Sequence, residues 1–297
     1  MKKQIRICVH IPFFVTQRKN QIANFNKVCK NYLKLSKSIK IFVHTNKKNN
    51  NTLKHKNIQY KVYSFKKDHP FFLTWYPRKL MFEQKKDFDV FIYGEDDILF
   101  TKKNFKYWLE NKEECLKNDY NLGFVRVEKN KHKFYAIDHI SKSEYKTQIK
   151  NKNFLISNYP HCALWIFDKK EFNEFVKTKY FKFEYKWKSI SGLTMIREMA
   201  SIGWHGNDIN GADMKRYIST LLLLKKNKIH DDAKLIHLTK NYSKGPSGLF
   251  GTMTIDDIIK NPLKKFVKPN IFKKILKKLK FHGYALIRIN LKKLFKK

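Results

Sequence analysis

Glycine-rich phosphate loops are missing from this chain. Neither a G-x-G-x-x-G nor a G-x-x-x-x-G-K-[S/T] pattern occurs among its ten glycines. A backbone cradle for a phosphate is therefore not expected, and a metal or basic side chains would have to do that work. Cysteine is scarce. Cys8, Cys29, Cys115 and Cys162 stand far apart, with no C-x-x-C pair. That spacing suggests neither a zinc site nor a disulfide framework, and each is expected as a small core residue in a reducing compartment. No apolar run reaches the roughly 18 residues of a membrane-spanning helix. Polar residues interrupt the stretch after Lys2 and Lys3, so no signal peptide is expected. Acidic residues are few, 25 against 64 Lys and Arg, giving a net charge of +39 and a pI near 10.0. An excess of that size implies an anionic partner: nucleic acid, an anionic membrane surface or a phosphorylated substrate. No helix-turn-helix, zinc-finger, RRM or KH signature is present, so no specific nucleic acid is expected. A non-enzymatic nucleic-acid binder remains the competing class. Apolar residues make up 42% and aromatics 15% of 297 residues, enough for a globular body of one large domain or two small ones.

The stretch around which the rest is organised is Val90-Phe91-Ile92-Tyr93-Gly94-Glu95-Asp96-Asp97. Four apolar or aromatic residues read as a buried strand, and three carboxylates follow at once. Packed carboxylates repel one another, and burial raises their pKa values. A cation relieves both penalties, and hard divalent ions prefer carboxylate oxygens. In open α/β sheets the carboxyl end of a strand is also where ligands bind. An exposed acidic turn is the alternative.

Before this stretch, residues 5–14 read as a strand. Thr16 is the expected cap of a helix carrying Ile22, Phe25, Val28, Cys29, Tyr32 and Leu33 on one face. Residues 39–45 and 58–65 read as two more strands. After it come a helix opened by Thr101, strands at 122–128 and 133–137, and a strand ending at Phe167. A helix follows behind an Asp168/Glu171 capping box, then one over 191–203 ended by Gly203. The last expected element of the body is a strand at 235–239 holding His237. This order suits a nucleotide-binding sheet with short crossovers.

An acidic cluster ending a buried strand about a hundred residues into an α/β chain resembles the metal motif of GT-A-type glycosyltransferases, which use nucleotide-diphosphate sugars. The resemblance covers roughly residues 1–255. It implies an α/β, Rossmann-like mixed sheet flanked by helices, with Mn2+ or Mg2+ as cofactor. It places Asp97 and His237 on the metal, and Glu95 and Asp96 beside the donor or the metal's waters. Pro12, Phe13, Arg18 and Arg78 become further donor contacts. Tyr159, His161 and Trp165 are the implied acceptor residues, and Glu198, Asp208 or Asp213 the implied catalytic base. The sequence departs from the family where Ser191-Gly192 stands in place of acidic residues at the start of the late helix. A nucleotidyltransferase would also use a metal and an acidic cluster, but with a Gly-rich basic loop near the N-terminus.

The end of the chain changes character. From Lys260 onward no Asp or Glu occurs, and Ile271, Phe272, Ile275, Leu276 and Leu279 fall on one face of a lysine-rich helix. Such helices lie on anionic membranes. The expected organisation is a catalytic domain over 1–256, with a nucleotide-sugar-binding half at 1–100 and an acceptor half at 101–256. A basic amphipathic helical tail over 257–297 would follow. The expected protein moves a sugar to a glycan or lipid-linked acceptor in cell-surface polysaccharide synthesis, peripherally on the cytoplasmic membrane face.

Overall fold

A computed structural model describes residues 4–65, 69–157, 159, 161–178, 181, 196–203, 220–243 and 250–266. The chain divides into two compact units, 1–263 and 264–297. Along the chain come strand β1 (Ile7–Phe13), helix α1 (Gln21–Tyr32), β2 (Ile39–Thr45), β3 (Ile58–Val62), α2 (Pro77–Glu83), β4 (Val90–Gly94), β5 (Ile98–Leu99) and α3 (Lys102–Lys117). They are followed by β6 (Asn121–Leu122), β7 (Val125–Asn130), β8 (Lys133–Ala136), β9 (Ser143–Ile149), β10 (Lys152–Ser157), β11 (Leu164–Asp168) and α4 (Lys169–Phe175). The remaining elements are α5 (Ile196–Ile202), β12 (Thr220–Lys225), β13 (Lys228–Ile229), β14 (Lys234–His237), β15 (Met253–Thr254) and β16 (Ile259–Lys265).

The first sheet has the order β11-β4-β1-β2-β3. β4, β1, β2 and β3 run parallel, and β11 is antiparallel to β4. This is the Rossmann-like order 3-2-1-4 with an antiparallel strand added at its edge, the mixed α/β architecture implied by the resemblance. All seven residues of β1 are buried, as expected of a parallel strand covered on both faces. On one face Phe91, Trp165, Phe167, Phe172, Phe175 and Phe181 form an aromatic core with α4 and α5. Phe91 and Phe172 stack with centroids 4.0 Å apart. On the other face α1 presses so close to the end of β4 that a Cβ on Gly94 would overlap the Tyr32 hydroxyl. A larger residue at this strand end, directly before the carboxylates, would have to displace the buried Tyr32 ring.

Two further sheets complete the body, one ordered β13-β12-β10-β9-β16 with β6 beside β12, the other β15-β8-β7-β14-β5. Several local expectations need correction. Thr16 does not cap α1. The cap position is Asn20, at φ 61, and Thr16 instead donates from N and Oγ1 to Gln21 Oε1. Residues 143–157, where no regular element is expected from the sequence, form the β9–β10 hairpin. Residues 259–265, read as the beginning of the helical tail, form the edge strand β16. The amphipathic part of the tail lies outside the described residues.

A buried chain of hydrogen bonds crosses β1 and β2. His10 Nε2 is 3.1 Å from Gln84 Oε1, His10 Nδ1 is 2.9 Å from His44 Nε2, and His44 Nδ1 is 2.8 Å from Tyr63 Oη. Gln84 Oε1 can only accept, so His10 donates from Nε2, and with burial keeping both imidazoles neutral each donates from Nε2 and accepts at Nδ1. Burial lowers both pKa values, that of His44 to about 3. The unfolded chain takes up these protons below the ordinary histidine value near 6.5, so the pair's contribution is complete above that pH and lost as pH falls below it. Stability from urea titrations is expected to fall by about 1.4 kcal/mol per pH unit for each imidazole between roughly pH 6 and 4. Replacing both with glutamine should remove that slope. An unchanged slope would place the pH dependence elsewhere.

Candidate functional site

The crossover from β1 through α1 to β2 runs to one side of β1, and β4 lies on the other. Their carboxyl ends part at this reversal and leave a crevice. Asp96 and Asp97, just after β4, open into a cavity of about 360 Å³ there, lined also by Arg18, Gln21, Thr239 and Asn241 among others. Arg18 comes from the loop after β1, so two strand ends and a later segment share one wall.

The later segment arrives by strand pairing. After Asp97 the chain leaves the first sheet as β5, which pairs antiparallel with β14. The Leu238 N–H donates to the Asp97 carbonyl at 2.9 Å. That register sets His237 Nε2 3.3 Å from Asp97 Oδ2. Behind the imidazole, His237 Nδ1 is 2.6 Å from Glu128 Oε1 on β7. Thr239 Oγ1 lies 2.8 Å from His237 Nε2. Among the described residues, the buried Asp97 Oδ1 has no hydrogen-bond partner.

Burial, reinforced by Asp97 and Glu95, pushes the Asp96 carboxyl well up. Glu95 is raised by burial against the opposing charge of Arg126. Asp97 is the exception. Burial opposes its ionisation, but the hydrogen bond and charge of His237 hold it below the usual range. His237 answers in kind: burial lowers it, and the bonds to Asp97 and Glu128 outweigh that and lift it to about 9. In the absence of another cation, a proton on this histidine balances the cluster.

A divalent metal fits the same place. Two ligand atoms at about 2.1 Å on adjacent octahedral positions stand about 3 Å apart, close to the 3.3 Å between His237 Nε2 and Asp97 Oδ2. The Glu128 carboxylate behind Nδ1 matches the usual outer partner of a metal-bound histidine. The orphaned Asp97 Oδ1 is a further acceptor for a cation. Among the described residues no group of three or more His, Cys, Asp or Glu is placed to cage an ion. The protein would thus supply few ligands and leave the rest to substrate, the habit of magnesium in phosphate sites.

Other expected site residues lie elsewhere. Pro12 and Phe13 are buried within β1, and Phe13 stacks on Phe25 at 4.1 Å, so neither is open to a donor. Arg78 is buried over the Trp75 ring and donates to the Phe181 and Ala200 carbonyls. Trp165 is also in the core and donates from Nε1 to Ala200 O. The last carbonyls of a helix lack intrahelical partners. Arg78 and Trp165 serve the end of α5 in that way, instead of a ligand. His161 is partly buried, with Nδ1 3.0 Å from Asp138 and Nε2 2.9 Å from Ser201 Oγ. Tyr159 packs near His139. Glu198, on α5, has Oε2 buried with no hydrogen-bond partner among the described residues. Asp208 and Asp213 lie outside the described residues.

Sequence reasoning missed Arg126, Glu128 and Asp138. Arg126 and Glu128 share one face of β7 and alternate with Val125 and Val127. A charge at every second position between valines was the available signal.

No family model and no curated protein matches the chain. Among solved structures it is similar to 4-diphosphocytidyl-2C-methyl-D-erythritol synthase from Anaerococcus prevotii, at 15% identity over 66% of this chain and 81% of that one, with a TM-score of 0.32. It is also similar to an active-site mutant of LgtC, at 11% identity over 61% of this chain and 66% of that one, with a TM-score of 0.28. Likenesses this slight leave the functional reading to the side chains.

Proposed function

We propose that this protein is a metal-dependent glycosyltransferase that takes a sugar from a nucleotide-diphosphate donor. The observation that carries the reading is the meeting of Asp97 and His237 at the switch point of a Rossmann-like sheet, beside a cavity rimmed by Arg18. When bound there, Mn2+ or Mg2+ supplies charge neutralisation for the departing diphosphate. Asp97 and His237 hold the ion. Arg18 and Lys19, on the cavity wall, offer positive charge to the phosphates. Glu95 and Asp96 face the ribose, the sugar or metal-bound water. Glu198 is the first candidate for the base that takes the acceptor hydroxyl's proton, because its buried Oε2 meets no donor among the described residues. Asp208 and Asp213 are the other candidates. His161 and Tyr159 stand nearest to an acceptor role. The acceptor would be a glycan or lipid-linked sugar in polysaccharide synthesis.

The test is a thermal-shift screen with UDP, GDP and CMP conjugates, each with and without manganese. Ligand at a hundred times its Kd adds about 2.7 kcal/mol, so the matching diphosphate should raise Tm by several degrees only when the metal is present. CMP conjugates lack the diphosphate and should shift little. No metal-dependent shift with any of them would sink the reading.

The tail is proposed to dock on an anionic membrane surface at the cytoplasmic face. Its lysine-rich pattern supports this, each basic residue near such a surface contributing roughly 1 kcal/mol. Among the described residues no helix is long and apolar enough to cross a membrane. A chain ending at Leu263, the limit of the first unit, is expected to keep nucleotide binding and lose co-sedimentation with phosphatidylserine vesicles. The full chain should sediment with them and release as salt rises, since the Debye length falls from about 10 Å at 0.1 M to about 3 Å at 1 M. Equal sedimentation of both chains would remove the anchor. Strong RNA binding retained by the shorter chain at 0.15 M salt would favour the nucleic-acid class instead.

A further inference from the structure

Glu128 is fully buried, and donors converge on both of its oxygens. Oε1 accepts from His237 Nδ1 at 2.6 Å, and Oε2 accepts from the backbone N–H groups of Tyr242 at 3.1 Å and Ser243 at 2.7 Å. An ionised carboxylate has no hydrogen to give, so every group facing it must donate. Nδ1 of His237 therefore carries a hydrogen. Nε2 is left as the nitrogen that faces Asp97. We propose that Glu128 is a positioning residue that fixes the tautomer of His237 and so makes Nε2 the metal-binding nitrogen. This rests on the reading of Asp97 and His237 as metal ligands.

The chemistry singles out a carboxylate at this position. Glutamine has nearly the same shape, but one acceptor and one donor. With its oxygen toward Tyr242 and Ser243, its amide N–H meets Nδ1 and drives the histidine hydrogen to Nε2. That nitrogen is then closed to a metal. With the amide turned over, its N–H groups meet two backbone N–H donors in a buried place, leaving them unpaired. The first arrangement loses fewer bonds. Glu128→Gln is thus expected to invert the tautomer while keeping the local packing. It also withdraws the negative charge that makes a metal-bound histidine a better ligand.

The experiment uses the full chain, wild type and Glu128→Gln. Nitrogen-resolved NMR of the imidazole in the metal-free protein, taken at a pH where its neutral form dominates, reports which ring nitrogen keeps the single hydrogen. Manganese titration followed by electron paramagnetic resonance reports affinity without reference to turnover. The wild type should show hydrogen on Nδ1 of His237 and bind Mn2+. Glu128→Gln should show Nδ1 bare and Nε2 protonated, with Mn2+ bound about 10- to 100-fold more weakly. A wild-type Nδ1 without hydrogen overturns the proposal even if the variant fails to fold. Mn2+ affinity unchanged in Glu128→Gln, or a variant that keeps hydrogen on Nδ1, overturns it alone. A wild type that binds no Mn2+ overturns the metal reading and this inference together.

Discussion

Asp97→Ala is expected to abolish manganese-dependent stabilisation by a nucleotide diphosphate while leaving the fold intact. The side chain stands at a strand end, and the main-chain bond from Leu238 to the Asp97 carbonyl does not need it. Its removal thins a crowd of three carboxylates but also takes a partner from the buried His237, which keeps Glu128, so the metal-free protein should lose some stability and stay folded. The ligand, by contrast, loses an anchor on the ion, and the metal-dependent part of the Tm shift should disappear. His237→Ala should weaken the same effect less, because water can take a vacated ligand position. If His237→Ala lowers Tm but leaves the metal effect whole, the histidine is a core residue. An undiminished metal effect in Asp97→Ala would remove the central claim.

The second large effect belongs to a pair outside the cavity. Arg126 donates from Nε to Asp138 Oδ2 at 2.9 Å and from a terminal nitrogen to Oδ1 at 2.6 Å, with both side chains 9% exposed. Burial works against ionisation of Asp138, but Arg126 and His161 overcome it and hold the carboxyl well below its usual range. Arg126→Leu leaves that carboxylate buried with only His161 beside it. Breaking a buried pair from one side costs about 3–5 kcal/mol, a large share of a typical domain's stability. Urea unfolding should show a loss of that order. Replacing both partners, Arg126→Leu with Asp138→Leu, should recover most of it, because apolar substitutes for a buried ion pair are often neutral. A double variant as unstable as the single one would mean that Arg126 acts through something other than Asp138. Glu95 is the next candidate, since Arg126 opposes the rise of its pKa.

What could be read in the sequence follows what each side chain answers to. β2 was legible to the residue because its apolar run is bounded by polar loops. The Thr101 helix start was legible because the cap is local, with Thr101 and Asn104 bonding each other. Asp97 and His237 could be proposed as a pair, and β5 and β14 bring them together. Arg78 and Trp165 misled because their residue types suit ligands equally well. Only the packed fold shows that their donors go to the end of α5. Phe13 misled in the same way, since a strand end near a site is also the centre of a core. The β9–β10 hairpin escaped notice because β9, largely polar and part-buried, carries no continuous apolar run. Glu128 and Asp138 escaped because their roles depend on partners from other strands and turns.

The register that joins β5 to β14 also bears on how the protein comes into being. Asp97 leaves the ribosome long before His237, and the strand carrying the histidine pairs with β7 as well as β5. During synthesis the early parallel strands can assemble while Asp97 still waits for its partner. A nascent or prematurely stopped chain would therefore hold the early parallel strands with Asp97 still apart from His237. On the proposal that Asp97 and His237 hold a metal, such a chain should show no metal-dependent nucleotide binding until β14 has been made.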